Sequence, residues 1–435
     1  MKMQRREVLA LSLAMAALPA WAADRQVIER DVVTTWYRLV LELVRHTATY
    51  SPPVASRAFA YIGIAAHESL ASGNRNLVSL AGQLNGLQPT PPRAAGEHDE
   101  ACVLHAALAA SSHIFFANTG PTGQRAMTAL GQQVGSTASA GIAADVVARS
   151  IEHGQAIAAH IHAWSLDDGG AVVENMGFPA TYTPGTNPQD WVPTSLVRQQ
   201  QAPLLPNWGN NRPFAMPAGN TCTIPAPPAY SEDLTSPFGM AAQEVYDTVV
   251  NLTDEQRRIA RFWSDDPMLS PTPPGHWISI VLTIADRDSL PADRVAEVLA
   301  KLGVAVADGF IGCWAAKFEY NLLRPVTYIR RFIDPKFEPI LNTPPFPEYP
   351  SGHSTQSGAA ATVLTAAFGE NFAFDDTTHD DEGLPTRSFT SFWQAAEEAG
   401  ISRLYGGIHY RFGVEEGLTQ GRCIGNYATA LKTRV

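Results

Sequence analysis

The chain is expected to be all-α: helical bundles, the C-terminal one carrying the candidate site, joined by long Pro-rich irregular loops. Three observations lead there. Apolar residues recur at i, i+3 and i+4 in segment after segment. No segment sustains a period of two. Prolines gather in two stretches, 168–230 and 334–350, where no regular element can run.

Taken in order, residues 1–22 read as an export signal. Arg5 and Arg6 precede an apolar run from Val8 to Ala20, and Ala20-Trp21-Ala22 places small residues at −1 and −3 of a cleavage site. The pair followed by Glu7-Val8-Leu9 resembles a twin-arginine signal, with an ordinary secretory signal as the alternative. Either predicts a periplasmic or secreted protein. Residues 23–167 are expected to form an N-terminal helical bundle, with helical stretches at 24–50, 53–72, 97–117 and 137–165. Residues 168–232 form a Pro-rich irregular connection. Trp191 and Trp208 sit within it, too apolar for a flexible linker, so it is expected to pack over the bundle or build a homodimer contact.

Residues 233–435 form the expected C-terminal helical domain. Helical patterning resumes at about 233–250, 253–264 and 275–286, and Ser289 looks like an N-cap. In the next helix Val295, Leu299, Leu302, Val306 and Phe310 form one stripe, which continues to Cys313, Lys317 and Arg324. Lys317 and Arg324, seven apart, are expected to share that inward face, where a cation is costly unless an anion meets it. A further helix is expected at 354–368, and another from about Ser391.

Composition narrows the function. The chain has 435 residues, 45% hydrophobic and 17% charged, enough for a substantial core. No stretch of the mature chain reads as long and apolar enough to span a membrane. The net charge is −11, and −13 once residues 1–22 are removed, which argues against nucleic acid or anionic lipid as partner. Cys102, Cys222, Cys313 and Cys423 show no zinc spacing; three disulfide pairings, or four free thiols, stay open.

Three clusters concentrate basic groups in this acidic chain: Lys317-Phe-Glu-Tyr-Asn-Leu-Leu-Arg324-Pro325, Pro350-Ser351-Gly352-His353, and Ser402-Arg403 followed by His409. They supply cations, a hydroxyl, a backbone N–H at a helix N-terminus, and two imidazoles. A tetrahedral oxyanion needs that set. Gly406-Gly407 offers a break that re-aims His409 toward Arg403.

The order of the clusters resembles the superfamily that joins vanadium-dependent haloperoxidases to type-2 phosphatidic acid phosphatases and bacterial class A acid phosphatases. The resemblance implies a vanadate cofactor bonded by His409. Lys317, Arg324 and Arg403 would neutralise its oxygens, Ser351 and the Gly352 N–H would donate to them, and His353 would act as acid/base. It implies hydrogen peroxide and halide as reactants, a small organic molecule as acceptor, and Lys317 polarising bound peroxide. Trp314 and Phe346 resemble the halide-side residues of fungal chloroperoxidases, which points to chloride competence. The stretch Phe262-Trp263-Ser264-Asp265-Asp266 resembles the segment that supplies a supporting Asp; Asp266 is the expected one, Asp265 the alternate. His276 is expected at the surface. One departure stands out: Gly413 occupies the position, four after the last His, where both branches commonly carry Asp. Glu415, Glu416 or a backbone carbonyl are candidate substitutes. Three readings follow in order: a haloperoxidase, a secreted acid phosphatase working through a phosphohistidine, and an anion-binding protein without activity.

Overall fold

A computed structural model describes residues 25–173, 177–178, 182–195 and 198–435. The predicted export signal lies outside these residues. Among them run 14 α-helices. The N-terminal five are α1 (Arg25–His46), α2 (Pro52–Ala71), α3 (Glu100–Phe115), α4 (Pro121–Ser139) and α5 (Ala144–Ser165). A one-turn α6 (Gly170–Val173) opens the Pro-rich stretch. Then come α7 (Pro237–Val250), α8 (Asp254–Phe262), α9 (Thr272–Arg287), α10 (Ala292–Tyr320), α11 (Pro325–Phe332), α12 (Gly352–Phe368), α13 (Phe392–Tyr405) and α14 (Arg411–Thr429).

Two expectations about element boundaries are corrected. The single stretch 137–165 is two helices, because the chain turns at Gly141 in the left-handed region. A small antiparallel hairpin, β1 (Phe374–Asp376) and β2 (Arg387–Phe389), follows α12, too short for its alternation to show in sequence.

α10 is the element the others pack around. Its predicted stripe is buried, and so are its other faces, against α2, α12 and α14. Small residues permit the approach: a Cβ on Gly303 would lie 2.8 Å from Ala60 Cα. By length and composition α10 is apolar enough to cross a membrane, which corrects the sequence expectation, but 89% of its apolar window is buried inside the protein. It starts after Pro291 as N-cap, not Ser289.

α10 ends where the site begins. Asn321 adopts the left-handed conformation, and Pro325 keeps Arg324 extended as the N-cap of α11. Lys317 and Arg324 therefore lie on different elements. Both are buried, but the chain break and not a shared helix face brings them inward.

The Pro-rich stretch packs over the bundle. Asp308 on α10, fully buried, accepts the backbone N–H groups of Phe214, Ala215 and Met216 at 2.6–2.9 Å. Trp314 Nε1 donates to the Leu204 carbonyl at 3.2 Å, and Trp191 N donates to the Asn321 carbonyl at 2.7 Å. A disulfide joins Cys222 to Cys423 on α14; Cys102 and Cys313 are free and buried.

α14 meets α12 through Gly417, Gly421 and Gly425, and Gly413, one turn earlier in the same stripe, faces Glu348 in the loop before α12. A Cβ on Gly421 would sit 2.1 Å from the Thr355 carbonyl oxygen. The backbone on both sides is fixed by helix hydrogen bonds, so the contact cannot relax locally. Gly421→Ala is expected to cost about 1–3 kcal/mol by overpacking, measured by urea unfolding; an unchanged midpoint would show that the helices can separate.

Candidate functional site

The three clusters converge at one place. Lys317 sits in the last turn of α10, fully buried. Its ammonium donates to the Pro347 carbonyl at 2.9 Å, the Glu348 carbonyl at 2.8 Å and the Pro350 carbonyl. Three acceptors match the three hydrogens of an ammonium, so Lys317 braces the Pro-rich loop 344–350. Burial pulls its pKa down to about 7.

Arg324 faces the same loop. Its Nε donates to the Phe346 carbonyl at 2.9 Å and its Nη1 to the Ile408 carbonyl at 3.0 Å, while Nη2, though buried, has no partner. Arg403, in the last turn of α13, donates from Nη1 to the Trp263 carbonyl at 2.7 Å and leaves Nε without a partner. Burial lowers Arg324 to about 9 and Arg403 to about 10.

Ser351 is the N-cap of α12, accepting from Ser354 N at 3.3 Å, and Gly352 is the first residue of that helix. The amide at this position is one of the unpaired N–H groups that favour an anion. His353 follows, its Nε2 buried without a hydrogen-bond partner. Burial, and then the charge of Arg403, hold His353 well below the ordinary histidine pKa.

His409 is placed by the predicted break. α13 stops at Tyr405, and Gly407 takes a φ of +77°, which turns the chain inward before α14. Its Nε2 lies 3.0 Å from Arg324 Nη1, and its Nδ1 lies 2.7 Å from Glu348 Oε1. The tautomer follows from these partners. A guanidinium only donates, so Nε2 holds its lone pair; Nδ1 then carries the hydrogen and donates it to Glu348. Burial and the neighbouring cations keep His409 well below its ordinary pKa, hence neutral.

Glu348 answers the question raised by Gly413. Its Oε1 also accepts from Tyr410 N at 3.1 Å. Burial pushes its pKa up to about 7, and Lys317 and Arg324 pull it down. A Cβ on Gly413 would lie 2.4 Å from Glu348 Oε1. Glycine at 413 therefore leaves the room in which a carboxylate from a different loop reaches the imidazole. None of the predicted substitutes, Glu415, Glu416 or a backbone carbonyl, is the partner. Glu348 stands three residues before Ser351, but nothing in its spacing to His409 signals the contact.

The remaining predicted residues also gather here. The Trp314 and Phe346 rings lie 4.9 Å apart, and Lys317 Nζ and Arg324 Cζ stand 5.2 and 5.0 Å from the Phe346 centroid. Of the Asp pair, Asp266 makes no side-chain hydrogen bond among those described, although its charge bears on Arg403. The buried Asp265 is the connected one. It accepts from His276 Nδ1 at 2.8 Å and His379 Nε2 at 3.1 Å, and its Oδ2 lies 3.9 Å from His353 Nε2. Neither Asp hydrogen-bonds one of the three cations among the described residues, and both act on Arg403 by charge alone. His276, expected at the surface, is fully buried.

The set fits a tetrahedral oxyanion. Buried donors without partners on Arg324 and Arg403, the free amide end of α12 and the unprotonated Nε2 of His409 are the complement such a group lacks.

Comparisons agree. A family model described as the VCPO second helical-bundle domain matches residues 297–435. Vanadium chloroperoxidase of Curvularia inaequalis is 28% identical over 212 residues, 35% of this chain and 35% of that protein. Vanadium-dependent bromoperoxidase of Ascophyllum nodosum is 38% identical over 94 residues, 19% of this chain and 17% of that protein. The matches thus span well under two thirds of either curated relative. Over nearly the whole chain, a crystal structure described as the first bacterial vanadium-dependent iodoperoxidase superposes with a TM-score of 0.84 at 37% identity, covering 93% of this chain and 97% of that one. A holo bacterial vanadium-dependent chloroperoxidase shares the fold, with a TM-score of 0.67 at 16% identity, covering 88% and 93%.

Glu348→Gln keeps the shape and removes the charge that holds the His409 hydrogen. Vanadate affinity, measured by equilibrium dialysis, is expected to fall about 10–100-fold. Unchanged affinity would show that the carboxylate does not orient His409.

Proposed function

The chain belongs to the vanadium-dependent haloperoxidase family, and we propose that it oxidises halide with hydrogen peroxide to hypohalous acid, with vanadate held on His409. The observation that carries this is the His409 imidazole, its unprotonated Nε2 facing the Arg324 guanidinium and its Nδ1–H fixed on Glu348. Arg324, Arg403, the Ser351 hydroxyl and the Gly352 amide would hold the oxygens. Bound vanadate supplies a Lewis acid that activates peroxide toward halide without changing its own oxidation state. Neutral His353 takes a proton from incoming peroxide at Nε2, the ring nitrogen without a partner. Trp314 and Phe346 form the apolar wall on the halide side.

We propose iodide as the preferred halide. All three hydrogens of Lys317 are engaged by loop carbonyls, so the lysine polarises peroxide weakly. Weak activation suffices for iodide, the most easily oxidised of the three, before bromide or chloride. The extensive similarity to a protein described as an iodoperoxidase supports the same choice. This replaces the chloride competence expected from Phe346. A small organic acceptor would consume the product. Export fits the Cys222–Cys423 disulfide, which an oxidising compartment permits.

Glu348 also keeps the phosphatase reading open. A glutamate that holds Nδ1–H would equip His409 to attack phosphorus as well as to ligate. The same bond removes the only support for an inactive anion binder, since His409 does not lack a carboxylate.

Vanadate-loaded protein is expected to turn over iodide faster than bromide, with chloride slowest, and to lose activity when vanadate is removed. His353→Ala should lower kcat about 10²–10⁴-fold. Equal turnover of chloride and iodide would contradict the halide assignment. Hydrolysis of a phosphate ester by the vanadate-free protein, with no halide oxidation after loading, would favour the phosphatase.

A further inference from the structure

Next to the His353 side of the site lies a histidine and carboxylate cluster whose one link to that site is Asp265. Asp265 comes from the loop after α8, His276 from the first turns of α9, Asp376 from the end of β1, and His379 and Glu382 from the turn that follows. Asp265, His276, His379 and Asp376 are all buried. One ligand atom each from Asp265, His276 and His379 lies within 4.8 Å of the others, a spacing that N and O ligands about 2.0–2.2 Å from a common ion allow.

The outward-facing ring nitrogens are the second observation. His276 Nε2 lies 2.7 Å from Asp376 Oδ2. His379 Nδ1 lies 3.3 Å from Glu382 Oε1, yet makes no well-aligned hydrogen bond and is buried. Each imidazole thus has a carboxylate behind it, the arrangement that fixes the ring of a metal-bound histidine. Aromatic rings close the sides: Trp263 stacks on His276 at 4.4 Å, and Phe262 stands edge-on to His379 at 5.2 Å.

We propose that Asp265, His276 and His379 bind a borderline divalent cation of the zinc class, at a three-ligand site separate from the vanadate site. Asp376 and Glu382 orient the two histidines. The ion ties the β1–β2 region to α9 and fixes Asp265, whose second oxygen faces His353. The donor set, two imidazoles and a carboxylate, suits zinc and not calcium or magnesium.

The test uses full-length protein free of vanadate, stripped by a strong chelator, loaded with Zn²⁺ alone and desalted, with metal counted by mass spectrometry. About one zinc per chain is expected to remain, and a rise in Tm over the stripped protein. His379→Ala, at the edge of the cluster, should remove that zinc while circular dichroism stays unchanged. Asp376→Asn keeps all three ligands and should weaken Zn²⁺ about 10–100-fold. Co²⁺ in place of zinc should give visible d–d bands that His379→Ala abolishes. Wild type that keeps less than about a tenth of a zinc per chain, or keeps as much as His379→Ala, overturns the proposal and leaves a hydrogen-bonded histidine cluster.

Discussion

Glu348 faces His409 across 2.7 Å with both side chains buried, and the arrangement of the site hangs on that contact. A buried carboxylate and a buried imidazole are each expensive alone. Together, with Tyr410 N as a second donor to the carboxylate, they leave one ring nitrogen unprotonated, to accept from Arg324. The loop that delivers Glu348 is itself held by Lys317, whose ammonium takes the carbonyls of Pro347, Glu348 and Pro350. One lysine at the end of the central helix therefore places both the carboxylate and, one residue after Pro350, the N-cap Ser351.

The scaffold serves that placement. α10 is buried on most of its surface down to Lys317, which fixes the lysine where the helix ends. The glycine stripe of α14 brings its backbone against α12, and the Ser351 N–H donates to the Gly413 carbonyl at 2.8 Å. The second and third clusters are thereby locked to each other through main chain. The Pro-rich stretch, far from linking two bundles loosely, is pinned to α10 by Asp308 and to α14 by a disulfide.

Much of this was legible in the sequence, for identifiable reasons. Helices show because burial on one face imposes a period, as at Val295 to Phe310. The three clusters show because their order is distinctive, and Gly406-Gly407 announces a turn. What stayed hidden depends on contacts between residues distant along the chain. Glu348 reaches His409 across 61 positions. Asp376 and His379 sit in a hairpin too short to carry a periodic signal. Asp265 and Asp266 are adjacent, and only the left-handed backbone of Asp265 decides which one turns inward. The seven-residue spacing of Lys317 and Arg324 misled because Asn321 ends the helix between them. Gly413 is the instructive case: it read as a missing carboxylate and is the space another one fills.

The most direct measurement is the tautomer of His409. Nitrogen-15 NMR of histidine-labelled, vanadate-free protein, assigned with a His409→Gln variant, reads which ring nitrogen carries the hydrogen. The account predicts a protonated Nδ1 and an unprotonated Nε2 near neutral pH. A protonated Nε2 with a bare Nδ1, or a doubly protonated ring, would contradict it.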